Sequence, residues 1–456
     1  MFKKIASLLL AVLMVASLAV VFSSCNKTTT DEENGPIGFD KELPLAESGV
    51  VRTVASDVAE GTKVENFKVG VILVGDESEG YSEAHIAGIN AAAEALGVSA
   101  DSIIWKKKVD ETENCYNAAK ELVAAGCQII FSNSYGHQDY MKQAASEFSD
   151  VQFVAMTGDT AAASGLDNFS NAFTSVYESR YVAGVVAGMK LAELVADGKV
   201  ADSNKDADGN IKLGYVGAFN YAEVVSGYTA FFLGVQSIVP NTVMEVKYTD
   251  SWGDVQLETS AADYLINNGC VIIGQHADTV GAPGRCEKAL SDGGVAYSVG
   301  YNLSMLEAAP NAALVSSANT WEKYYTKLLT AWLNKEPLPQ DWHEGYETGA
   351  VGLTEFGASC APGTAEKVAE VVDALKAGTL HVFDTSKFTV GGEHITSCVV
   401  NFSYLDWSQG GKVVYEGPTL DTVKTDSNGV TYVEESVVRS APYFAIRIDG
   451  ITETAK

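Results

Sequence analysis

The sequence predicts an α/β protein of two similar lobes, each a parallel sheet with helices on both faces. A β-rich extension follows. Three observations predict this. Short apolar runs alternate with segments of helical periodicity, the pattern of parallel strands covered on both faces. The pattern then recurs in register: Lys68 to Lys212 is 144 residues and Cys127 to Cys270 is 143. Beyond residue 380, Gly and Asn punctuate short β-prone stretches.

The first element is a leader. Lys3 and Lys4 precede an apolar run over residues 5–22, then Ser23, Ser24 and Cys25. Charged start, apolar middle and small residues are the order of an export signal. The Cys after the small pair resembles the lipobox of bacterial lipoproteins, which implies cleavage after residue 24 and a lipid on Cys25. An uncut spanning helix is the competing reading, because the run is just long enough to cross a bilayer. Residues 25–66 are polar and acidic and read as a flexible tether.

The charge is consistent with export. The 456-residue chain carries 31 Lys+Arg against 59 Asp+Glu, a formal net charge of −28. A surface this acidic repels nucleic acid, which is excluded as a partner, and disfavours highly phosphorylated ligands. The six cysteines after Cys25 include no CxxC pair, so zinc and thiol-redox chemistry lack support. Cys127 and Cys270 each open an apolar strand, the setting of a small buried hydrophobe. No disulfide pairing follows from the sequence.

Lobe one spans residues 67–200. A strand over 68–74 leads to Ser82, a candidate N-cap for a helix whose apolar residues are Ile86, Ile89, Ala93 and Leu96. Strands near 102–107, 128–132 and 151–156 follow, with helices between them. Lobe two spans 201–316. Its strand from Lys212, helix 224–238, strand 242–248, helix 254–267 and strand 269–273 repeat the order. Residues 204–209 begin like a calcium loop, but the closing position is Tyr215 rather than Glu, so a solvated turn is expected. Residues 317–380 read as a crossover that completes the lobes. Residues 381–456 form the extension, with hairpins expected near 388–392, 412–417 and 425–433.

Open parallel sheets bind ligands at the C-terminal ends of their strands, and lobe interfaces are favoured pockets. The strand-end loops carry Asp76, Tyr81, Ser134, Tyr135, Phe219, Glu223, Trp252, His276, Asp278, Tyr301 and Asn302. Flat aromatic faces beside carboxylates and amides suit a flat, neutral ligand or a sugar. There is no GxSxG, HExxH, P-loop or GxGxxG. An enzyme is not expected, although a hydrolase built on the acidic cluster is the alternative. No cofactor and no metal are expected.

Five ordered stretches carry a specific resemblance: GDESEGYSEAHIAG at 75–88, NFSNAFTSVYESRYVAGVVAG at 168–188, LGYVGAFNYAEVVSGYTAFFLGVQSIVP at 213–240, SWGDVQLETSAADYLINNGCVIIGQHAD at 251–278 and SSANTWEKYY at 316–325. They resemble the basic membrane protein family, substrate-binding lipoproteins of ABC importers that include the purine nucleoside receptor of spirochaetes. The resemblance implies a type I periplasmic-binding-protein clamshell. It implies a nucleoside or nucleobase as ligand, an ABC permease with its ATPase subunits as partners, and attachment to the outer face of the cell membrane. It implies hinge closure near residues 173–179 and 315–321. It assigns Asp76 and Tyr81 to the first ligand loop, Glu223 to a helix start, Trp252 to a stacking position, His276 and Asp278 to a QHAD loop, and Trp321 to a crossover. Tyr81 stands where related chains have Trp. Tyr301-Asn302 stands where they have a more acidic run, which implies a weaker grip on ribose hydroxyls and a different base, a free base or a ligand outside the purines.

Overall fold

The computed structural model describes residues 67–336, 338–406 and 412–454. The leader, Cys25 and the tether lie outside the described residues.

The first sheet is built from β1 (Val69–Ile72), β2 (Ile103–Lys106), β3 (Ile129–Ser132), β4 (Gln152–Met156) and β5 (Phe169–Ala172). Between them run α1 (Gly80–Leu96), α2 (Glu113–Ala124), α3 (Gln138–Glu147) and the single turn α4 (Ala161–Ser164). Every residue of β1, β3, β4 and β5 is buried. That is why β1, β3 and β4 read as largely apolar runs rather than as alternating ones, whereas β5 buries Ser170 and Asn171 and gives no such run.

The chain then enters the second lobe through α5 (Val176–Ala196). It continues with β6 (Ile211–Gly217), α6 (Ala222–Gln236), β7 (Thr242–Tyr248), α7 (Val255–Asn267), β8 (Ile272–Gln275), α8 (Gly281–Ser291), β9 (Tyr297–Tyr301) and β10 (Ala313–Asn319). It returns to lobe one as α9 (Trp321–Asn334) and β11 (Asp341–Trp342). It crosses a third time to β12 (Val351–Leu353) and α10 (Thr364–Lys376). The strand orders are β2-β1-β3-β4-β5-β11 and β7-β6-β8-β9-β10-β12. Five strands thus share one order in both lobes. All pairings in the two sheets are parallel except β10 with β12.

The three crossings are tied together. Phe173 N–H donates to Trp342 O (2.9 Å), Ser175 N–H to Glu344 O (2.9 Å) and Thr320 N–H to Ala350 O (2.8 Å). Glu178 Oε2 accepts the Tyr346 N–H at 2.7 Å. The third crossing, over residues 343–350, lies inside the 317–380 segment expected to cross over and complete the lobes, but outside the two stretches expected as hinges. Helices α5 and α6 pack almost backbone to backbone: a Cβ on Gly184 would lie 2.1 Å from Phe231 O, and one on Gly234 2.1 Å from Tyr181 O.

Two local expectations change. Helix α1 is capped by Glu79, whose carboxylate accepts the N–H groups of Tyr81 (2.6 Å) and Ser82 (2.9 Å). Ser82 instead turns inward, where its Oγ accepts from Gly75 N–H and Asn133 Nδ2. Residues 388–392 form a turn closed by one bridge, Val390 to Glu393, rather than a hairpin. Tyr404–Asp406 pairs with Lys412–Tyr415, and Val423–Thr425 with Thr431–Val433, both antiparallel.

The C-terminal segment is anchored on lobe two. Phe383, Phe388, Phe444 and Ile448 join its core, with Phe383 stacked on Phe444 at 4.1 Å. Strand Ile451–Thr454 adds to the β7 edge in parallel. Tyr228 and Tyr248 both donate to Glu453 Oε1 at 2.7 Å.

Candidate ligand-binding site

The C-terminal ends of both sheets face one another across a cleft. Its inner compartment, about 470 Å³, is lined from lobe one by Asp76, Glu79, Tyr81, Lys108, Asn133, Ser134, Tyr135 and Thr157. Lobe two contributes Phe219, Glu223, Asp250, Ser251, Trp252, Asp278 and Tyr301. Nine of the sequence candidates therefore meet here: Asp76, Tyr81, Ser134, Tyr135, Phe219, Glu223, Trp252, Asp278 and Tyr301.

Lobe two supplies an aromatic shelf. Phe219 lies 5.1 Å from Trp252 and stacks on Tyr221 at 5.3 Å. Tyr135 of lobe one faces Tyr221 at 6.2 Å. Tyr81 is held edge-on against His85 at 4.6 Å. Its hydroxyl is buried and has no hydrogen-bond partner among the described residues.

The polar groups are strongly positioned. Asp278 is almost fully buried, and its Oδ1 accepts from Asn302 Nδ2 at 3.0 Å. Burial, then the neighbouring carboxylates Glu79, Glu258 and Glu223, push its pKa well above the carboxylate range. Glu79, itself raised by burial, hydrogen-bonds Asp278. The two carboxyls approach each other from opposite lobes, and burial holds both above the ordinary carboxylate range. Gly80 N–H donates to Asp278 O at 3.1 Å, which closes the lobes on this side.

Asp76 behaves differently. Its carboxylate pairs with Lys108 at 2.6 Å and accepts from Ser78, and these contacts hold it far below the usual carboxylate range. It shapes the loop as much as it faces the cavity. The Ser134 hydroxyl is engaged too, donating to Glu111 Oε1 at 2.5 Å.

Three candidates stand behind the lining. His276 is fully buried, and its Nε2 faces Glu223 Oε1 at 3.1 Å. Burial, and secondarily Arg180, lower its pKa to about 4, so it is neutral and orients Glu223. Asn302 links inward: its Oδ1 accepts from Asn319 Nδ2 at 2.9 Å, and Asn319 Oδ1 accepts from the Thr174 hydroxyl. Both Thr174 and Asn319 belong to crossings, so a chain of hydrogen bonds links Asp278 to the segments that join the lobes. Trp321 is core: it stacks on His85 at 4.3 Å in lobe one's apolar cluster.

The structure adds residues that the sequence reading did not single out. Arg180 Nη1 donates to Gln275 O at 2.5 Å while its guanidinium sits 3.6 Å over the Tyr301 ring, a cation–π contact behind the compartment. Lys108 (φ 56°), Thr157 (φ 64°) and Asp250 (φ 51°) line the compartment, and Asn302 (φ 61°) lies behind it. Non-glycine residues held in this region gather at functional sites.

A larger outer compartment, about 1040 Å³, shares Tyr135, Thr157 and Glu223 with the inner one. Its far wall comes from the C-terminal segment, through Tyr404, Arg439, Ala441 and Pro442.

Similar proteins agree with this architecture. The chain is 30% identical over 338 residues to a purine-binding protein of Brucella abortus, covering 73% of this chain and 88% of that one. It is 29% identical over 260 residues to a Haloferax volcanii protein provisionally named as an ABC transporter glucose-binding protein, covering 57% of this chain and 60% of that one. In fold it resembles an ABC transporter solute-binding protein of Aeropyrum pernix (TM-score 0.57, 15% identity, 72% of this chain and 94% of that chain). One from Conexibacter woesei gives a TM-score of 0.53 at 19% identity, over 69% and 98%. The family model for PnrA-like ABC transporter substrate-binding proteins matches residues 67–376. The two-lobed fold, the cleft at the strand ends and this match together establish that the chain belongs to the PnrA-like family of ABC transporter substrate-binding proteins.

Proposed function

We propose that this protein is a lipid-anchored receptor that closes on a purine base or nucleoside and presents it to an ABC permease. One observation carries the reading: the inner compartment sets the Phe219–Trp252 shelf beside the Asp278–Glu79 carboxyl pair. A flat heterocycle stacks on such a shelf, and the carboxyl oxygens beside it accept hydrogen bonds from N–H groups on its edge. The purine-binding relative supports the same ligand class. Binding and release need no covalent step, so the receptor turns nothing over. Asp76, Tyr81, Tyr135, Glu223, Asp278 and Tyr301 contact the ligand in this reading. Ser134, His276 and Asn302 position those contacts, and Trp321 fixes the crossover. The leader and Cys25 tether the receptor through lipid.

A sugar receptor is the second reading, favoured by the same alternation of aromatic and carboxylate groups. A thermal-shift screen separates the two. Free ligand at 100 times its Kd adds about 2.7 kcal/mol, so a purine base or nucleoside should raise the melting midpoint clearly. A shift with hexoses and none with purines would transfer the assignment to sugars. Cys25→Ser should release the protein from the membrane fraction; retention there would remove the lipid anchor.

A further inference from the structure

The outer compartment is walled by a segment outside the family match. Residues 67–376 carry the match, whereas Tyr404, Arg439, Ala441 and Pro442 come from beyond it. This wall is held in place on the lobe-one side. The Tyr404 hydroxyl donates to Asp139 Oδ2 at 2.5 Å, and Arg439 pairs with Asp159 at 3.0 Å. Ser440 N–H donates to both oxygens of Asp341 at 3.0 and 3.1 Å. The segment's own base is fixed in lobe two by strand Ile451–Thr454.

The volumes decide what such a wall is for. Sites for drug-sized molecules run about 300–1,000 Å³. The inner compartment alone, about 470 Å³, falls in that range. The outer one adds about 1040 Å³, more than a base requires.

Charge then selects the chemistry. Four carboxylates (Glu111, Asp139, Asp159, Glu223) face two cations, Lys142 and Arg439. Both cations are already engaged: Lys142 with Asp139 at 2.9 Å and over the Tyr404 ring at 4.7 Å, and Arg439 with Asp159. Spare acceptors without spare cations disfavour a phosphate. Tyr135 and Tyr221 give the compartment aromatic surface, Tyr404 closes its far side with a ring already covered by Lys142, and the carboxylates offer acceptors for a ring bearing hydroxyls. Asp159 Oδ1 is buried without a partner among the described residues.

We infer that the C-terminal segment makes a second subsite, which takes an uncharged, hydroxyl-rich substituent carried by the ligand in the inner compartment. The receptor then selects a glycosylated nucleoside over a bare base. This inference rests on the purine reading above.

Calorimetric titration with three probes tests it: adenine, adenosine, and adenosine bearing a hexose on its 5′ oxygen. The hexosyl nucleoside should bind the wild-type protein at least tenfold more tightly than adenosine. Tyr404→Ala should reduce that gain below threefold and leave adenine affinity within threefold, because Tyr404 does not line the inner compartment. Gln143→Trp, which fills the outer compartment from the exposed face of α3, should do the same without touching the C-terminal segment. Equal affinity for adenosine and its hexosyl derivative, or an undiminished gain in both variants, overturns the inference and leaves the purine reading standing. Binding of none of the three probes, nor of guanine, guanosine, hypoxanthine or inosine in the same titration, overturns the purine reading and this inference with it.

Discussion

At the scale of residues, Asp278 and Glu79 are the informative pair. Both carboxyls are raised above their ordinary values of 3.8 and 4.5, so the folded protein retains a proton that the unfolded chain releases. Their contribution is complete at low pH and is lost as pH rises through the folded values. Asp278→Asn keeps the shape, keeps an acceptor for Asn302 and gives Glu79 a permanent donor. The variant's melting midpoint should therefore fall less than that of wild type as pH rises above the ordinary carboxylate range; parallel curves would mean that no proton is shared. Trp252→Ala should abolish the ligand-induced shift with circular dichroism unchanged, and retained binding would remove Trp252 from the shelf. Much of this lining was legible because strand-end loops are identifiable from apolar runs. Position within a loop was not. His276 and Asn302 point behind the surface, and Trp321 sits on the face of α9 that packs on His85. Glu79 reads as one acid among several until the cap places it. Lys108, Thr157 and Asp250 owe their positions to left-handed backbone that their residue types do not announce.

At the scale of elements, the repeat was legible through the near-constant register, and five strands run in one order in both sheets. The third crossing was legible only as part of the 317–380 crossover segment and could not be placed within it, because β11 is two residues long and too short to leave a periodic signal. It matters, since Glu178 joins it to the first. Burial pushes the Glu178 carboxyl up to about 7 from 4.5. The stability this contributes is complete below pH 4.5 and disappears as pH rises through 7, on the order of 3 kcal/mol. Glu178→Gln, which retains an acceptor for Tyr346 N–H, should flatten the decline across that window in urea titrations. An unchanged slope would place the pH dependence elsewhere. Helices α5 and α6 give a separate test. Gly184→Ala would force a methyl to within 2.1 Å of Phe231 O. Overpacking of this kind costs about 1–3 kcal/mol or more. A variant as stable as wild type would show that the helices separate easily.

At the scale of the whole molecule, Gly80 N–H donating to Asp278 O fastens the lobes near the inner compartment. On the outer side, Tyr404 and Arg439 span from the lobe-two anchored segment to lobe one. Opening must therefore break contacts on both sides of the cleft, and the Thr174–Asn319–Asn302–Asp278 chain couples the hinge to the site. Ligand that bridges the lobes should favour the closed form in proportion to its differential affinity. Small-angle scattering should then show a smaller radius of gyration with ligand than without. Identical profiles at saturating ligand would mean that the free protein is already closed. Native mass spectrometry of gently purified protein should detect a co-purified base or nucleoside under the purine reading.

The strand Ile451–Thr454 has a consequence in time. It covers the β7 edge of lobe two, yet it is made long after the strand it pairs with. Lobe one needs nothing beyond β11, so its sheet can be complete while lobe two still presents a bare edge. An uncovered edge invites pairing with other chains. Synthesis proceeds from the N-terminus, so the β7 edge stays unpaired until residue 451 is made. Domains that appear first fold first, and here that order leaves the half carrying the aromatic shelf to be finished last.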